Sequence, residues 1–297
     1  MRIHNDCIYF SIVTHTNFRQ EYELTYDVIN NVAFFFQSHT DIPLMFGYVD
    51  NKGIKTNKIT EKNKEKVHQK LKEKNLYQFT IAEYITQKEF YDTSGNRKKT
   101  SDISFSIDLL ERQTKHFGIS VAIPTEFMSE RKKITDFCSL FKELNELVHG
   151  FNSFISRGTC YPAWFVPQRV SIFDYMRFSN ENTWDKWVRG YYWGCVLNDN
   201  IVEKIGGIER IENKGFYKVE KWGDCIYVQV TDDLLEYSLD DAIRMRSLLN
   251  PAFPPRGMKV GLYDDEDDYF EAKSRNVEFF MIKEDLIRKT KLYDEEK

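Results

Sequence analysis

The run Ser129–Ile155 restricts the fold more than any other part of the chain. Ile134, Phe137, Cys138, Phe141, Leu144 and Val148 recur at helical spacing and predict one amphipathic helix over Ser129–Val148. Ser129 is the expected N-cap. His149-Gly150 is the expected stop, the histidine favouring the negative helix end and the glycine the left-handed position after it. The apolar run Phe151–Ile155 follows at once and reads as a strand. A helix delivered into a strand with almost no loop must lie against the sheet that holds that strand.

The same plan occurs twice. Ile8–Val13 reads as a strand, Tyr22–Ser38 as a helix and Leu44–Val49 as a strand; Phe117–Ile123 precedes the helix and strand just described. Between them lie strands at Gln78–Ile85 and Ile103–Leu109, the latter with period-two apolar residues. Short connections and mixed order predict an α+β fold: a mixed, largely antiparallel twisted sheet with helices on one face and an internal strand–helix–strand duplication. One domain over 1–297 is expected, and any subdivision falls between 1–157 and 158–297.

Beyond Arg157 comes an aromatic, proline-bracketed loop, then the dense stretch Tyr191–Ile211 (YYWGCVLNDNIVEKIGGIERI). Asn200 is its expected helix cap, with Glu203 at the third helical position, and Gly206-Gly207 its stop. A hairpin turns at Gly223-Asp224, and Leu239–Leu249 reads as a helix ending before Pro251. A strand over Val277–Ile282 and a helix over Glu284–Lys291 complete the chain.

Charge is uneven. Lys52–Lys74 holds nine lysines against Glu61, Glu65 and Glu73, and predicts an exposed helix capped by Thr60. The runs Asp232–Asp241 and Asp264–Glu271 are acidic without a single base. A net charge of −4 argues against a general nucleic-acid binder, which needs a basic face. The C-terminal third is suited to a basic partner, with Asp232, Asp233, Asp264, Asp265, Glu266, Asp267 and Asp268 as candidate contact residues. Trp184, Trp187 and Trp193 are either anchors in such a contact or core residues.

No chemistry-bearing motif emerges. Gly206-Gly207 lacks the flanking residues of a phosphate loop, and Asp264–Asp268 lacks the alternating register of a calcium loop. The five cysteines have no metal-ligand spacing, so no metal or cofactor is expected and reduced thiols in a cytoplasmic protein are the simple reading. No signal-peptide core and no apolar run near ~20 residues occurs, so neither export nor membrane insertion is expected. Cys160 or Cys195 with His149 is the one thiolate–imidazole pairing to weigh, against buried, inert thiols.

The junction Glu146-Leu147-Val148-His149-Gly150-Phe151 resembles the helix-to-strand junction of type VI secretion immunity proteins and related polymorphic-toxin immunity proteins. Arg189-Gly190-Tyr191-Tyr192-Trp193-Gly194, followed by Ile201-Val202-Glu203-Lys204-Ile205-Gly206-Gly207, is similar to a second signature of that family. His149, Gly150, Trp193, Gly206 and Gly207 carry the likeness, which spans roughly Phe117–Pro255. The lysine-rich segment 52–74 and the acidic tail depart from the family pattern. The resemblance implies a non-enzymatic protein that binds and neutralises a cognate antibacterial toxin, with a basic nuclease as one candidate partner. It implies no nucleic-acid or membrane partner and sets no oligomeric state. A cysteine-dependent hydrolase built around the Cys160 loop, and a scaffold or sensor, are the competing classes.

Overall fold

The computed structural model describes residues 7–84, 103–109, 116–157, 185–188 and 190–252. Among the described residues ten strands form one sheet: β1 (Cys7–Thr14), β2 (Leu44–Asp50), β3 (Gly53–Lys58), β4 (Leu76–Glu83), β5 (Ser104–Asp108), β6 (Phe117–Pro124), β7 (Asn152–Arg157), β8 (Gly194–Leu197), β9 (Lys218–Trp222) and β10 (Cys225–Gln229). Their order is β3-β2-β4-β5-β6-β1-β7-β8-β10-β9. Every described pairing is antiparallel, which narrows the expected mixed sheet. The α-helices are α1 (Tyr22–His39), α2 (Glu61–Lys72), α3 (Arg131–Leu147), α4 (Asp199–Lys204), α5 (Ile208–Glu212) and α6 (Leu239–Leu249). The architecture is α+β, and no described helix is long and apolar enough to cross a membrane.

Both strand–helix–strand segments are present, but they are placed differently. The α1 crossover carries the chain from β1 over β6, β5 and β4 to β2, whereas the α3 crossover passes only β1 between β6 and β7. The likeness is therefore one of element order, and strand β1 sits inside the second unit.

Register explains which side the helices take. Phe46, Ile81, Phe105, Val121, Phe10 and Ile155 are direct cross-strand partners and share one face. Phe10 there lies 5.0 Å from Phe137 and 5.2 Å from Phe141, ring centre to ring centre, so α3 covers that face. Phe35 of α1 meets Phe137 at 5.7 Å. One residue along, the row Gly47–Thr80–Ser106–Ser120–Ser11 crosses the opposite face with small and hydroxyl side chains. Further along that face Phe154 stacks on Tyr192 at 3.9 Å. Tyr191, Tyr192 and Trp193 are all buried, which makes the aromatic stretch a core element.

The junction after α3 differs from the sequence expectation in an instructive way. His149, not Gly150, holds the left-handed conformation, with φ 52°. The His149 N–H bonds the Glu146 carbonyl and the Gly150 N–H bonds the Asn145 carbonyl at 2.8 Å, which is a Schellman closure. Gly150 is needed for a different reason: a Cβ there would lie 2.2 Å from Asn145 Oδ1 and 2.7 Å from Ile12 Cγ2. Ser129 is not the N-cap of α3. It ends a 3₁₀ turn over Thr125–Met128, and the cap position of α3 is Glu130, without a side-chain bond.

Elsewhere, Thr60 caps α2 by accepting from the Asn63 N–H, as its place ahead of the helix predicts. The cap of α4 is Asn198 rather than Asn200; its side chain accepts from the Ile201 N–H at 3.0 Å. Gly206 (φ 96°) and Gly207 (φ 87°) then close α4 with bonds to the Glu203 and Val202 carbonyls, as a glycine stop requires. Strand β3 has no counterpart in the sequence reading, and the strand at 277–282 and helix at 284–291 lie outside the described residues.

Candidate partner-binding surface

Strand β10 ends at Gln229, and the chain turns through Thr231, Asp232 and Asp233 into a 3₁₀ turn over Leu234–Glu236 and then α6. The turn is anchored from below. Trp193 Nε1–H donates to Thr231 Oγ1 at 2.9 Å, and that hydroxyl donates to the Asp233 carbonyl at 3.0 Å. Trp193 is thus a buried support for this surface and not an exposed anchor. The Tyr237 hydroxyl donates to the Tyr191 carbonyl at 2.8 Å, tying the start of α6 to the same aromatic stretch.

The two candidate acids at this corner differ in role. Asp233 accepts from the Leu235 N–H at 2.8 Å and caps the 3₁₀ turn. Asp232 is exposed and accepts from both the Tyr217 hydroxyl and the Arg131 guanidinium, the latter brought from the first turn of α3. The Tyr217 bond first, and Arg131 after it, hold the Asp232 carboxyl below the usual carboxylate range; the same bond raises the Tyr217 hydroxyl. Part of the negative charge expected here is therefore spent inside the molecule.

What projects is partly apolar. Tyr217 is 54% exposed and Ile243 45% exposed, and both belong to segments joined at this corner. The Tyr217 N–H bonds the Val230 carbonyl, and Arg244, next to Ile243, also donates to that carbonyl at 3.0 Å. Arg244 bonds Asp241 at 3.0 Å and lies over the Phe216 ring at 5.5 Å. Glu236 and Asp240 are exposed on the stretch of chain between Val230 and Ile243. Exposed aromatic and aliphatic side chains on segments that also carry charge are a composition common in protein–protein contacts.

Sequence reasoning singled out Asp232 and Asp233 and not Arg131, Tyr217, Ile243 or Arg244, which the fold brings to the same corner. Arg131 is 101 residues from its partner, and no local pattern joins them. Asp264, Asp265, Glu266, Asp267, Asp268, Trp184 and Cys160 lie outside the described residues. His149 is exposed at its turn, while Cys195 is buried in β8, where burial pushes its thiol up to about 12. Among the described residues, no group of three or more His, Cys, Asp or Glu side chains could hold a metal ion.

No protein-family model matches the chain, and no curated protein matches it. Among solved structures, the Pseudomonas aeruginosa T6SS protein PA0821 is similar, with a TM-score of 0.55 over 83% of this chain and 76% of that one. The two sequences are 11% identical, so the likeness is one of fold.

Proposed function

Taking the shared fold with a type VI secretion protein as the premise, we propose that this chain is an immunity protein. It binds a cognate antibacterial toxin and neutralises it by protein–protein contact. The observation that carries this reading is the corner where the segments bearing exposed Tyr217 and Ile243 meet at the Val230 carbonyl, with exposed Asp232, Glu236 and Asp240 on the chain between Val230 and Ile243. The aromatic and aliphatic side chains supply apolar area, and the rim supplies the charge complementarity that steers a basic partner. A nuclease toxin fits that description, because its substrate surface must be basic and carboxylates compete with phosphates for it.

The test is co-expression with each candidate toxin encoded beside this gene, scored by survival and by co-purification. The chain should rescue growth and purify with the toxin. Tyr217→Ala and Ile243→Ala should each weaken the complex by tenfold or more, since central aromatic and aliphatic anchors are worth about 1.4 kcal/mol or more. Rescue and affinity untouched by both substitutions would remove this surface from the interface. Failure to rescue or co-purify with any neighbouring toxin would overturn the function itself.

A further inference from the structure

Among the described residues, strand β3 forms one edge of the sheet and pairs only with β2. Edge strands expose unpaired backbone groups, and proteins commonly shorten them, twist them or cover them. Here Gly53, Ile54, Lys55, Thr56 and Lys58 are all exposed, and Ile54 is 77% exposed. The phase of the ladder follows from its ends. The Ile59 N–H bonds the Leu44 carbonyl, so alternation turns residues 55 and 57 toward β2 and residues 54, 56 and 58 outward. The Lys58 carbonyl confirms this, because it accepts from Asn63 Nδ2 at 2.8 Å rather than from β2. Asn63 closes that end, leaving both backbone groups of Ile54 and of Thr56, and the Lys58 N–H, facing away from the sheet.

The free charge on the β2–β3 hairpin itself is positive. The single carboxylate of the hairpin, Asp50, is buried and taken up by Lys70 at 2.7 Å and by the Lys52 N–H at 2.8 Å. Lys52, Lys55 and Lys58 form no ion pair among the described residues, Lys58 lying over the Tyr84 ring at 4.7 Å, and α2 beyond them exposes Lys62 and Lys66 together with Glu61 and Glu65. Lysine on an edge is also a way to repel unwanted strands. An isoleucine left bare between the lysines works against that purpose, because it offers a β-branched anchor to an incoming strand. A second copy of this chain would set lysines against lysines, so the edge disfavours self-pairing.

We propose that β3 is a docking edge for an extended acidic segment of a partner protein. The segment adds an eleventh strand to the sheet, its backbone pairing with Ile54, Thr56 and Lys58 and its carboxylates meeting Lys52, Lys55 and Lys58. The surface proposed above lies near the other end of the sheet, with nine inter-strand steps between the two edge strands. At ~4.8 Å per step the edges are roughly 40 Å apart. The two surfaces therefore stand or fall separately.

The probe is the fluorescent hexapeptide Val-Glu-Val-Val-Glu-Val, whose glutamates three residues apart point to opposite faces as Lys55 and Lys58 do, titrated into the full chain by anisotropy. A second peptide of the same sequence carries N-methyl groups on alternate amides, which keeps its charge and removes its strand-pairing donors. The expected result is saturable binding by the first peptide, weakened tenfold or more by N-methylation and by K55E/K58E. Thr56→Pro should weaken it equally, because the lost N–H faces outward and proline is tolerated on an edge strand; an unchanged circular dichroism spectrum checks the fold. Equal binding of the methylated peptide, no binding of either, or full displacement by a single-stranded oligonucleotide with Thr56→Pro binding unaltered would overturn strand addition. The last result would make the lysines a plain polyanion patch.

Discussion

At the turn joining α3 to β7, two adjacent residues should respond in opposite directions. In Gly150→Ala the new methyl group meets Asn145 Oδ1 at 2.2 Å and Ile12 Cγ2 at 2.7 Å, both too close to keep. Ile12 is fixed in the centre of the sheet, so Asn145 must move. Asn145 is buried, accepts from Ser153 Oγ at 2.6 Å and donates to the Gly150 carbonyl at 3.3 Å. Stranding the Ser153 hydroxyl costs about 1–3 kcal/mol. Crowding against Ile12 costs about 1–3 kcal/mol more. The stiffer unfolded chain returns about 0.4–1 kcal/mol. The net loss is about 2–5 kcal/mol. His149→Gly should be neutral or stabilising by up to about 1 kcal/mol, since relief of a left-handed histidine roughly offsets the added chain entropy. Urea denaturation reads both as shifts in midpoint at constant slope. A neutral Gly150→Ala together with a destabilising His149→Gly would show that a methyl group fits at 150 without loss and that the left-handed histidine carries no strain, which would refute both halves of this reasoning.

Four further outcomes follow from the geometry. Asn198→Ala should destabilise the chain by about 1 kcal/mol, and Asn200→Ala by no more than a few tenths, in the same denaturation assay. Trp193→Phe removes the indole donor to Thr231 and should cost about 1–2 kcal/mol while loosening the Asp232 corner, which hydrogen exchange at Leu235 would report. The Asp50 carboxyl is held low by Lys70 first and by the Lys52 N–H next. Its stabilising contribution is therefore present above the ordinary carboxylate range and lost as pH falls through its lowered folded value; Asp50→Asn should flatten the acid limb of the stability profile. Burial pushes Cys195 up to about 12 and Cys225 up to about 11, so iodoacetamide at pH 8 should label both only on unfolding.

Legibility in the sequence tracked how local the cause was. The helices α1, α3 and α6 could be read because their apolar stripes sit on one segment, and Gly206-Gly207 because a helix stop needs only its own backbone. Strand β3 could not be read: GIKTNK has no buried face, so it lacks the alternation that marks a strand, and its state is imposed by β2. Gly150 was identified for the wrong reason, since its need comes from Ile12, far away in the chain. The choice of Asn198 over Asn200 is a matter of two residues between equally good caps. At the acidic corner Asp232 stands out by charge alone, while Tyr217 and Arg131 become visible only when α3 and β9 meet there.

Strand β1 carries a consequence for how the molecule is made. Its residues are buried on both faces, and its two neighbours are β6 and β7. The hydroxyls of Ser11 and Ser120, which face each other in the finished sheet, are 109 positions apart. At translation speeds of ~5–20 residues per second, β1 waits roughly 5–20 s for its first neighbour. During that interval CIYFSIVT is an uncharged, β-rich segment with both edges bare, the composition most prone to pairing with a copy of itself. Slow, long-range closure of this kind makes the yield of native protein depend on expression rate and on chaperone holding of the nascent chain. A charge placed at Ser11 would protect the nascent strand, yet it would be buried in the middle of the finished sheet.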